Sequence, residues 1–152
     1  VEYNPLNGGI ARYFTEMDNQ TIENPIFKNL LQFAYFTFSE IKSEDWFIEA
    51  HQFRIEANPD DVGKPTPEGI HRDGVDYVLM AIINRQNIHG GLTRIYSLNK
   101  TLEAEFMLEN FLDIALVDDH QVYHSVSEIR VDDFENNSTG LRDVLVITFK
   151  KA

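Results

Sequence analysis

A histidine and an aspartate two positions apart, His71 and Asp73, are the residues of this chain best placed to bind a metal ion. In an extended segment, residues i and i+2 point to the same face with Cα atoms about 6.6 Å apart, so an imidazole and a carboxylate can reach one ion. A third ligand must come from a distant strand, and His120 and His124 are the candidates. His124 alternates with apolar residues and is predicted to point inward, whereas His120 follows two aspartates and is expected to face solvent.

Two histidines and one carboxylate with open coordination positions are the facial triad of non-heme Fe(II) oxygenases. Zinc hydrolases use similar ligands but place a glutamate base beside them, as in H-E-x-x-H, and this sequence contains no such motif. The chain has no cysteine, which excludes disulfides and Fe–S clusters and leaves His, Asp and Glu as metal ligands. The spacing alone is weak evidence, because a turn that contains a hydrogen-bonded histidine gives the same letters.

Arg142 is the second candidate for chemistry, because it begins an apolar strand pattern. Alternation places it on one face with Val144, Val146 and Thr148, where its guanidinium is expected to be removed from water. A buried arginine needs an anion, and a dicarboxylic cosubstrate could meet its planar fork with two hydrogen bonds. An internal ion pair with Asp143 or another acid is the alternative.

The elements that must position these residues are one helix followed by short strands. A helix is predicted over Pro25–Lys42, and Thr101–Leu108 is predicted to be a short helix or a loop. Because crossover helices are missing between the strands, the pattern favours an antiparallel sandwich or jelly roll over a parallel α/β fold. The predicted strands cover Trp46–Ala57, Tyr77–Ile83, Leu92–Ser97, Phe111–Val117, Gln121–Val131 and Leu141–Lys150.

The composition indicates a single globular domain over residues 1–152, with a helical N-terminal support (1–44) and a jelly-roll core (45–150). Lys and Arg number 13 against 25 Asp and Glu, and a net charge of −12 argues against nucleic acid or an anionic membrane as a partner. No transmembrane or signal segment is recognised, so a cytoplasmic protein is expected. Because the chain begins with Val1 rather than Met, we expect its N-terminus to be incomplete.

Several motifs together resemble a family of bacterial 2-oxoglutarate/Fe(II) dioxygenases, the L-isoleucine dioxygenase type, which hydroxylates free amino acids. The resemblance covers residues 45–150. The motifs are His51-Gln52-Phe53-Arg54, His71-Arg72-Asp73 continuing into Tyr77–Asn84, Gly90-Gly91, Asp118-Asp119, Val122-Tyr123-His124-Ser125-Val126 and Arg142–Phe149.

The resemblance implies a mainly β fold, the double-stranded β-helix (cupin-like jelly roll), with one or more N-terminal helices packed on the sheet. It implies that His71, Asp73 and His124 bind Fe(II), that Arg142 binds the distal carboxylate of the cosubstrate 2-oxoglutarate, and that dioxygen is the oxidant. Many related oxygenases carry a hydroxyl two residues after this arginine. Here that position is Val144, so any hydroxyl partner must come from elsewhere.

The same resemblance suggests a free L-amino acid with an aliphatic side chain as the small-molecule substrate. Arg54, with Gln52 on the same strand, is the candidate for binding the substrate carboxylate. Asp76 or Glu68 is the candidate for receiving the ammonium group.

Two other hypotheses remain open at the level of sequence, and the oligomeric state is not predicted. A cupin-like metal- or ligand-binding barrel without oxygenase activity would not require Arg142 to face the pocket. A metal-free interaction module would not bring the three candidate ligands together. His51 and His89 are expected to be structural or exposed.

Overall fold

The computed structural model describes residues 14–133 and 138–152. Within these residues, two helices are followed by nine strands. They are α1 (Asn19–Glu23), α2 (Pro25–Ile41), β1 (Trp46–Ala57), β2 (Tyr77–Gln86), β3 (Ile88–Gly90), β4 (Leu92–Tyr96), β5 (Leu102–Met107), β6 (Ile114–Asp118), β7 (Tyr123–Val126), β8 (Ile129–Val131) and β9 (Gly140–Lys151).

Helix α2 begins at Pro25, as predicted. The Asn24 side chain accepts a hydrogen bond of 2.8 Å from a backbone N–H of the first turn, and Pro25 has no N–H to leave unsatisfied. Leu30, Ala34 and Phe38 are spaced four apart and form the buried stripe of the helix. This stripe packs the helix onto one face of the main sheet.

The main sheet is antiparallel, with the strand order β1-β9-β2-β6. The first six residues of β2 are all buried, because the strand is covered on both faces. Tyr77, Leu79 and Ala81 pack against α2, where the ring of Phe38 stacks on Tyr77 with 4.8 Å between centroids. The residues between them face the interior. The apolar run in the sequence is nearly continuous because both faces of the strand are buried.

A three-stranded sheet, β5-β4-β7, packs against the inner face of the main sheet, and β3 pairs with β8. The interior cluster joins Val78, Met80 and Ile82 of the main sheet to Ile95 and Phe106 of the smaller one. All strand pairs among the described residues are antiparallel. This mainly β arrangement, with helix α2 on the outer face, confirms the predicted jelly roll.

Some predicted elements were wrong in type or extent. Residues 101–108, expected to be a short helix or a loop, contain strand β5, which pairs with β4 in a hairpin. The first four residues of β5 are all exposed, so the segment lacks the alternation by which a strand is recognised. Strand β6 begins three residues later than predicted, because Asp113 accepts hydrogen bonds from the backbone N–H groups of Glu109 and Asn110 and holds a turn there.

The predicted strand Gln121–Val131 is two strands, because β7 pairs with β4 whereas β8 pairs with β3. Helix α1 was not predicted. Residues 1–13, and 134–137 in the predicted loop before β9, lie outside the described residues. Among the helices that the structure describes, none is long and apolar enough to cross a membrane.

Candidate metal centre and its cavity

Backbone pairing brings His71 directly opposite His124. The N–H of each residue donates to the carbonyl oxygen of the other, at 3.0 and 2.9 Å, in an isolated antiparallel bridge. Paired residues project from the same side, and the two imidazole centroids lie 4.4 Å apart. Asp73, two residues after His71, completes a cluster whose three candidate ligand atoms all lie within 4.8 Å of one another.

The rings are oriented as ligands would be. His71 Nδ1 lies 2.8 Å from the Gly69 carbonyl oxygen, which can only accept, so Nδ1 carries the proton and Nε2 faces Asp73 at 3.5 Å. His124 Nε2 lies 3.6 Å from the other Asp73 oxygen. The Nδ1 atom of His124 is buried without a hydrogen-bond partner among the described residues, which is unusual for a histidine with a purely structural role.

The ligand loop is held by a carboxylate that the sequence analysis did not single out. Asp119 is 2% exposed. Its two carboxylate oxygens accept hydrogen bonds from the backbone N–H groups of Asp73, Gly74 and Val75, at 3.0, 2.7 and 3.1 Å. Its own N–H donates to the Asp76 carbonyl oxygen at 3.0 Å. Asp119 therefore fixes the backbone from which the candidate ligand Asp73 projects. The sequence signal that could have identified Asp119 was its position in the Asp118-Asp119 motif.

The charges of the cluster suit a divalent cation. Burial raises the pKa of Asp73, but contacts with His71 and His124 outweigh it and hold the pKa below the ordinary aspartate value. Burial lowers the pKa of His124. Burial also lowers the pKa of His71, yet its hydrogen bonds with Asp73 and Gly69 raise it overall. Asp73 is thus a carboxylate and His124 a neutral imidazole at neutral pH, the forms in which both residues bind metal.

The donor atoms, geometry and charges of the cluster are those that Fe(II) requires. Two imidazoles and one carboxylate are the donor set of the facial triad, and no other group of three such side chains is close enough among residues 14–133 and 138–152. The convergence is the opposite of what a metal-free interaction module requires.

A cavity of about 120 Å³ opens beside the cluster, and His71, Asp73 and His124 all line it. Arg142 lines it too, on the face that alternation predicted, and is 3% exposed. Its Nε is buried and has no hydrogen-bond partner among residues 14–133 and 138–152. Burial, with the nearby charge of Arg85, lowers the pKa of Arg142 to about 10. The predicted alternative, an ion pair with Asp143, is absent, because Asp143 pairs with another arginine.

That other arginine is Arg54, and its predicted contact with substrate needs correction. Its Nε and Nη2 atoms each donate to Asp143 at 2.8 Å on the exposed face of the sheet. Gln52 lies on the same exposed face. The residues between and beside them, His51, Phe53 and Ile55, are the ones that line the cavity. The strand was predicted correctly, but the residues of β1 that line the cavity alternate with Gln52 and Arg54.

The two candidates for the ammonium contact separate. Glu68 lines the cavity, with Oε1 3.4 Å from His71 Nε2. Asp76 lies outside the cavity lining, where it accepts hydrogen bonds from Lys42 and from the backbone N–H of Lys151, so its proposed ammonium contact is withdrawn. His120 contacts Asp76 at 3.0 Å and is exposed, as expected.

The remaining two histidines also differ from each other. His89 is exposed and contacts Asp132 at 2.8 Å, in line with the prediction. His51, expected to be structural or exposed, is half-buried in the cavity wall with its ring against Phe14 and Phe53. Its position in the quoted His-Gln-x-Arg motif was the signal that could have marked it.

Comparison with known proteins agrees with this geometry. The sequence model of the 2OG-Fe dioxygenase family matches residues 1–148. The chain is 28% identical over 153 residues to L-isoleucine-4-hydroxylase of Bacillus thuringiensis, and 29% identical over 156 residues to 3(1)-hydroxy-L-isoleucine 4-dioxygenase of Pantoea ananatis. These alignments cover 97% and 98% of this chain but 62% and 61% of the relatives, so the chain spans about three fifths of their length.

Solved structures give the same picture. A bsmA homolog from Methylobium petroleophilum PM1 superposes with a TM-score of 0.85 at 35% identity, covering 98% of this chain and 60% of the other. IDO from Bacillus thuringiensis superposes with a TM-score of 0.83 at 24% identity, covering 97% and 66%, and supports the fold alone. The resemblance inferred from the sequence motifs is confirmed.

Proposed function

The chain belongs to the 2OG-Fe dioxygenase family, and we propose that it is an Fe(II)- and 2-oxoglutarate-dependent hydroxylase of a small molecule. One observation carries the proposal. The candidate metal ligands His71, Asp73 and His124 line the same cavity as Arg142, a buried arginine that has no acidic partner among the described residues. A cupin-like metal site without oxygenase activity requires no such arginine, so the combination favours the oxygenase.

His71, Asp73 and His124 would hold the iron, leaving open positions for cosubstrate and oxygen. When bound, Fe(II) with dioxygen couples the oxidative decarboxylation of 2-oxoglutarate to the insertion of one oxygen atom into a substrate C–H bond. The chain's own residues orient the ligands and exclude water. Asp119 holds the backbone of Asp73 in position. The isolated antiparallel bridge between His71 and His124 fixes the two histidines relative to each other.

Arg142 would bind the distal carboxylate of 2-oxoglutarate. The guanidinium is charged at neutral pH and nearly inaccessible to water, and it has no acidic partner among the residues that the structure describes. A carboxylate would therefore provide both neutralisation and hydrogen bonds to its planar fork. Val144, two residues after Arg142, has no hydroxyl group that could bind the same carboxylate.

We propose a free L-amino acid as the substrate class, because two relatives are named for the hydroxylation of isoleucine or its hydroxy derivative. The cavity has the corresponding chemistry. Glu49 and Glu68 are carboxylates able to receive an ammonium group, and His51 is a donor for a carboxylate. Phe53 and Ile55 form an apolar wall for an aliphatic side chain. Such a wall discriminates by about 1–3 kcal/mol per methylene, so several related amino acids are expected to react.

The direct test is incubation with Fe(II), ascorbate, 2-oxoglutarate and each proteinogenic amino acid in turn. Succinate is measured, and mass spectrometry detects products that have gained one oxygen atom. We expect both signals with aliphatic amino acids. Succinate without any oxygenated amino acid would refute the substrate class alone, whereas no succinate under any condition would refute the hydroxylase.

Three other predictions stay predictions. They are the division into an N-terminal support (1–44) and a jelly-roll core (45–150), the lack of a nucleic-acid partner, and the cytoplasmic location.

A further inference from the structure

A second arginine lies directly beside Arg142. In the register of β2 and β9, Arg85 is the residue paired with Arg142, after a bulge between Ile82 and Asn84 that shifts the alternation of β2. Paired residues of neighbouring strands project from the same face of a sheet. Arg85 therefore projects on the same side as the residues of β9 that line the cavity.

The glycine turn after β3 touches both arginines. A Cβ atom at Gly91 would lie 2.9 Å from Arg85 Nη1 and 3.4 Å from Arg142 Cδ. Gly91 has a φ of +75°, so its backbone conformation and the space above it both require glycine. The two side chains consequently share one small region under this turn.

Neither guanidinium is neutralised within the described part of the chain. No carboxylate oxygen of residues 14–133 or 138–152 lies within 4.0 Å of either group, although Arg54, Arg94 and Arg130 all have such partners. Arg85 Nη1 and Arg142 Nε are both buried without a hydrogen-bond partner in this part of the chain. Arg85 Nη2 donates a hydrogen bond to the Gly90 carbonyl oxygen at 3.0 Å.

This arrangement is unfavourable in an isolated protein. Like charges in directly opposite cross-strand positions destabilise a sheet, and burial of an unpaired cation adds a desolvation penalty. The chain carries 25 acidic residues, yet none of those described is placed to relieve the pair. If Arg85 only stabilised the turn, its hydrogen bond to the Gly90 carbonyl oxygen would be sufficient. That role does not explain why a second cation lies opposite Arg142. An anion that enters between the two groups would satisfy the unpaired N–H atoms of both.

We infer that Arg85 is a second anion-binding residue, which joins Arg142 in binding the distal carboxylate of 2-oxoglutarate and makes the site specific for a dicarboxylic keto acid. The inference rests on the proposed function. Two guanidinium groups on one carboxylate would raise the affinity for 2-oxoglutarate relative to keto acids that end in a methyl group. Arg85 would contribute nothing to the binding of the keto-acid end, which the residues that hold the metal would receive.

The test compares two keto acids on protein loaded with Mn(II), which resists oxidation in air. Dissociation constants for 2-oxoglutarate and for pyruvate, which lacks the distal carboxylate, are measured by ligand-induced thermal stabilisation. In Arg85→Gln we expect the affinity for 2-oxoglutarate to fall about tenfold or more, and the affinity for pyruvate to stay unchanged. Arg94→Gln, which removes an exposed arginine paired with Glu105 at 2.7 Å, should change neither affinity.

Unchanged 2-oxoglutarate affinity in Arg85→Gln, or an equal loss for both keto acids, would overturn the inference and leave the proposed function intact. Arg85→Lys keeps the charge without the fork and provides a second measurement if the glutamine variant does not fold. An intermediate, 2-oxoglutarate-selective loss supports the inference, and an affinity equal to wild type overturns it. If the wild-type protein binds 2-oxoglutarate no better than pyruvate, the proposed cosubstrate fails, and this inference fails with it.

Discussion

Replacing Arg142 with methionine should make the ligand-free protein more stable. Burial of the guanidinium, with another cation nearby, lowers the pKa of Arg142 from the ordinary arginine value to about 10. That difference corresponds to a penalty of roughly 3 kcal/mol for keeping the side chain charged in the fold. Methionine retains an unbranched apolar stem among Val144 and Val146 without the charge. Because some contacts of the longer side chain are lost, we expect a net gain of about 1–3 kcal/mol in the free energy of unfolding.

The assay is urea unfolding of metal-free protein, followed by thermal shift with Mn(II) and 2-oxoglutarate. Arg142→Met should unfold at higher urea concentration but lose the stabilisation by 2-oxoglutarate. The matched control is Arg54→Met, which removes an exposed arginine bound to Asp143 and should lower stability while leaving the response to 2-oxoglutarate intact. A variant of Arg142 that is less stable than wild type would show that the cation is not buried at a penalty, and it would refute the reasoning from which a carboxylate ligand was inferred.

Three further predictions concern the metal, its support and the core. His71→Ala should abolish succinate formation, whereas His120→Ala should retain most of it; the reverse would overturn the ligand assignment. Asp119→Asn should weaken Mn(II) binding in a calorimetric titration, because an amide cannot accept all the N–H groups of the ligand loop, while Asp113→Asn, which disturbs a similar turn outside the cavity, should not. Equal affinities in both variants would mean that Asp119 does not position the ligand loop. Phe38→Ala should lower the free energy of unfolding by about 3–5 kcal/mol in urea and leave Mn(II) affinity unchanged; a smaller loss would show that the helix contributes little to the core.

The parts of the site that could be predicted depend on local alternation. His71 and Asp73 share a face because they are two residues apart, and Arg142 lies in line with valines on the cavity side of β9. His71 and Asp73 follow each other in a short extended segment, and at the start of β9 the face of Arg142 and Val144 is buried while Leu141 and Asp143 are half-buried, so the alternation indicates where these side chains point. The start of α2 was equally predictable, because Asn24 and Pro25 are local signals.

Strand β1 shows why the residues that line the cavity could not all be predicted. Its first half packs Trp46, Ile48 and Ala50 toward α2, and its second half extends beyond the helix. The same alternate positions then become exposed at Arg54, while the opposite face lines the cavity. Apolar residues therefore occur on both faces, and the sequence does not reveal where the covering helix ends.

Long-range pairing could not be predicted for a related reason. Asp119 lies more than 40 residues along the chain from the N–H groups that donate hydrogen bonds to it. Arg85 lies opposite Arg142 only because of the register between β2 and β9, which includes a bulge. Nothing in the local sequence of either residue specifies these partners. Both depend on how the sheets close around the cavity.

We propose that one cavity binds Fe(II) and 2-oxoglutarate together. This proposal is tested most directly by adding Fe(II) and then 2-oxoglutarate to the protein without oxygen and recording the visible absorption spectrum. Chelation of the metal by the keto acid should produce a metal-to-ligand charge-transfer band in the wild-type protein and none in His71→Ala. A spectrum without this band, from wild-type protein that is folded and has bound Fe(II), would contradict the account.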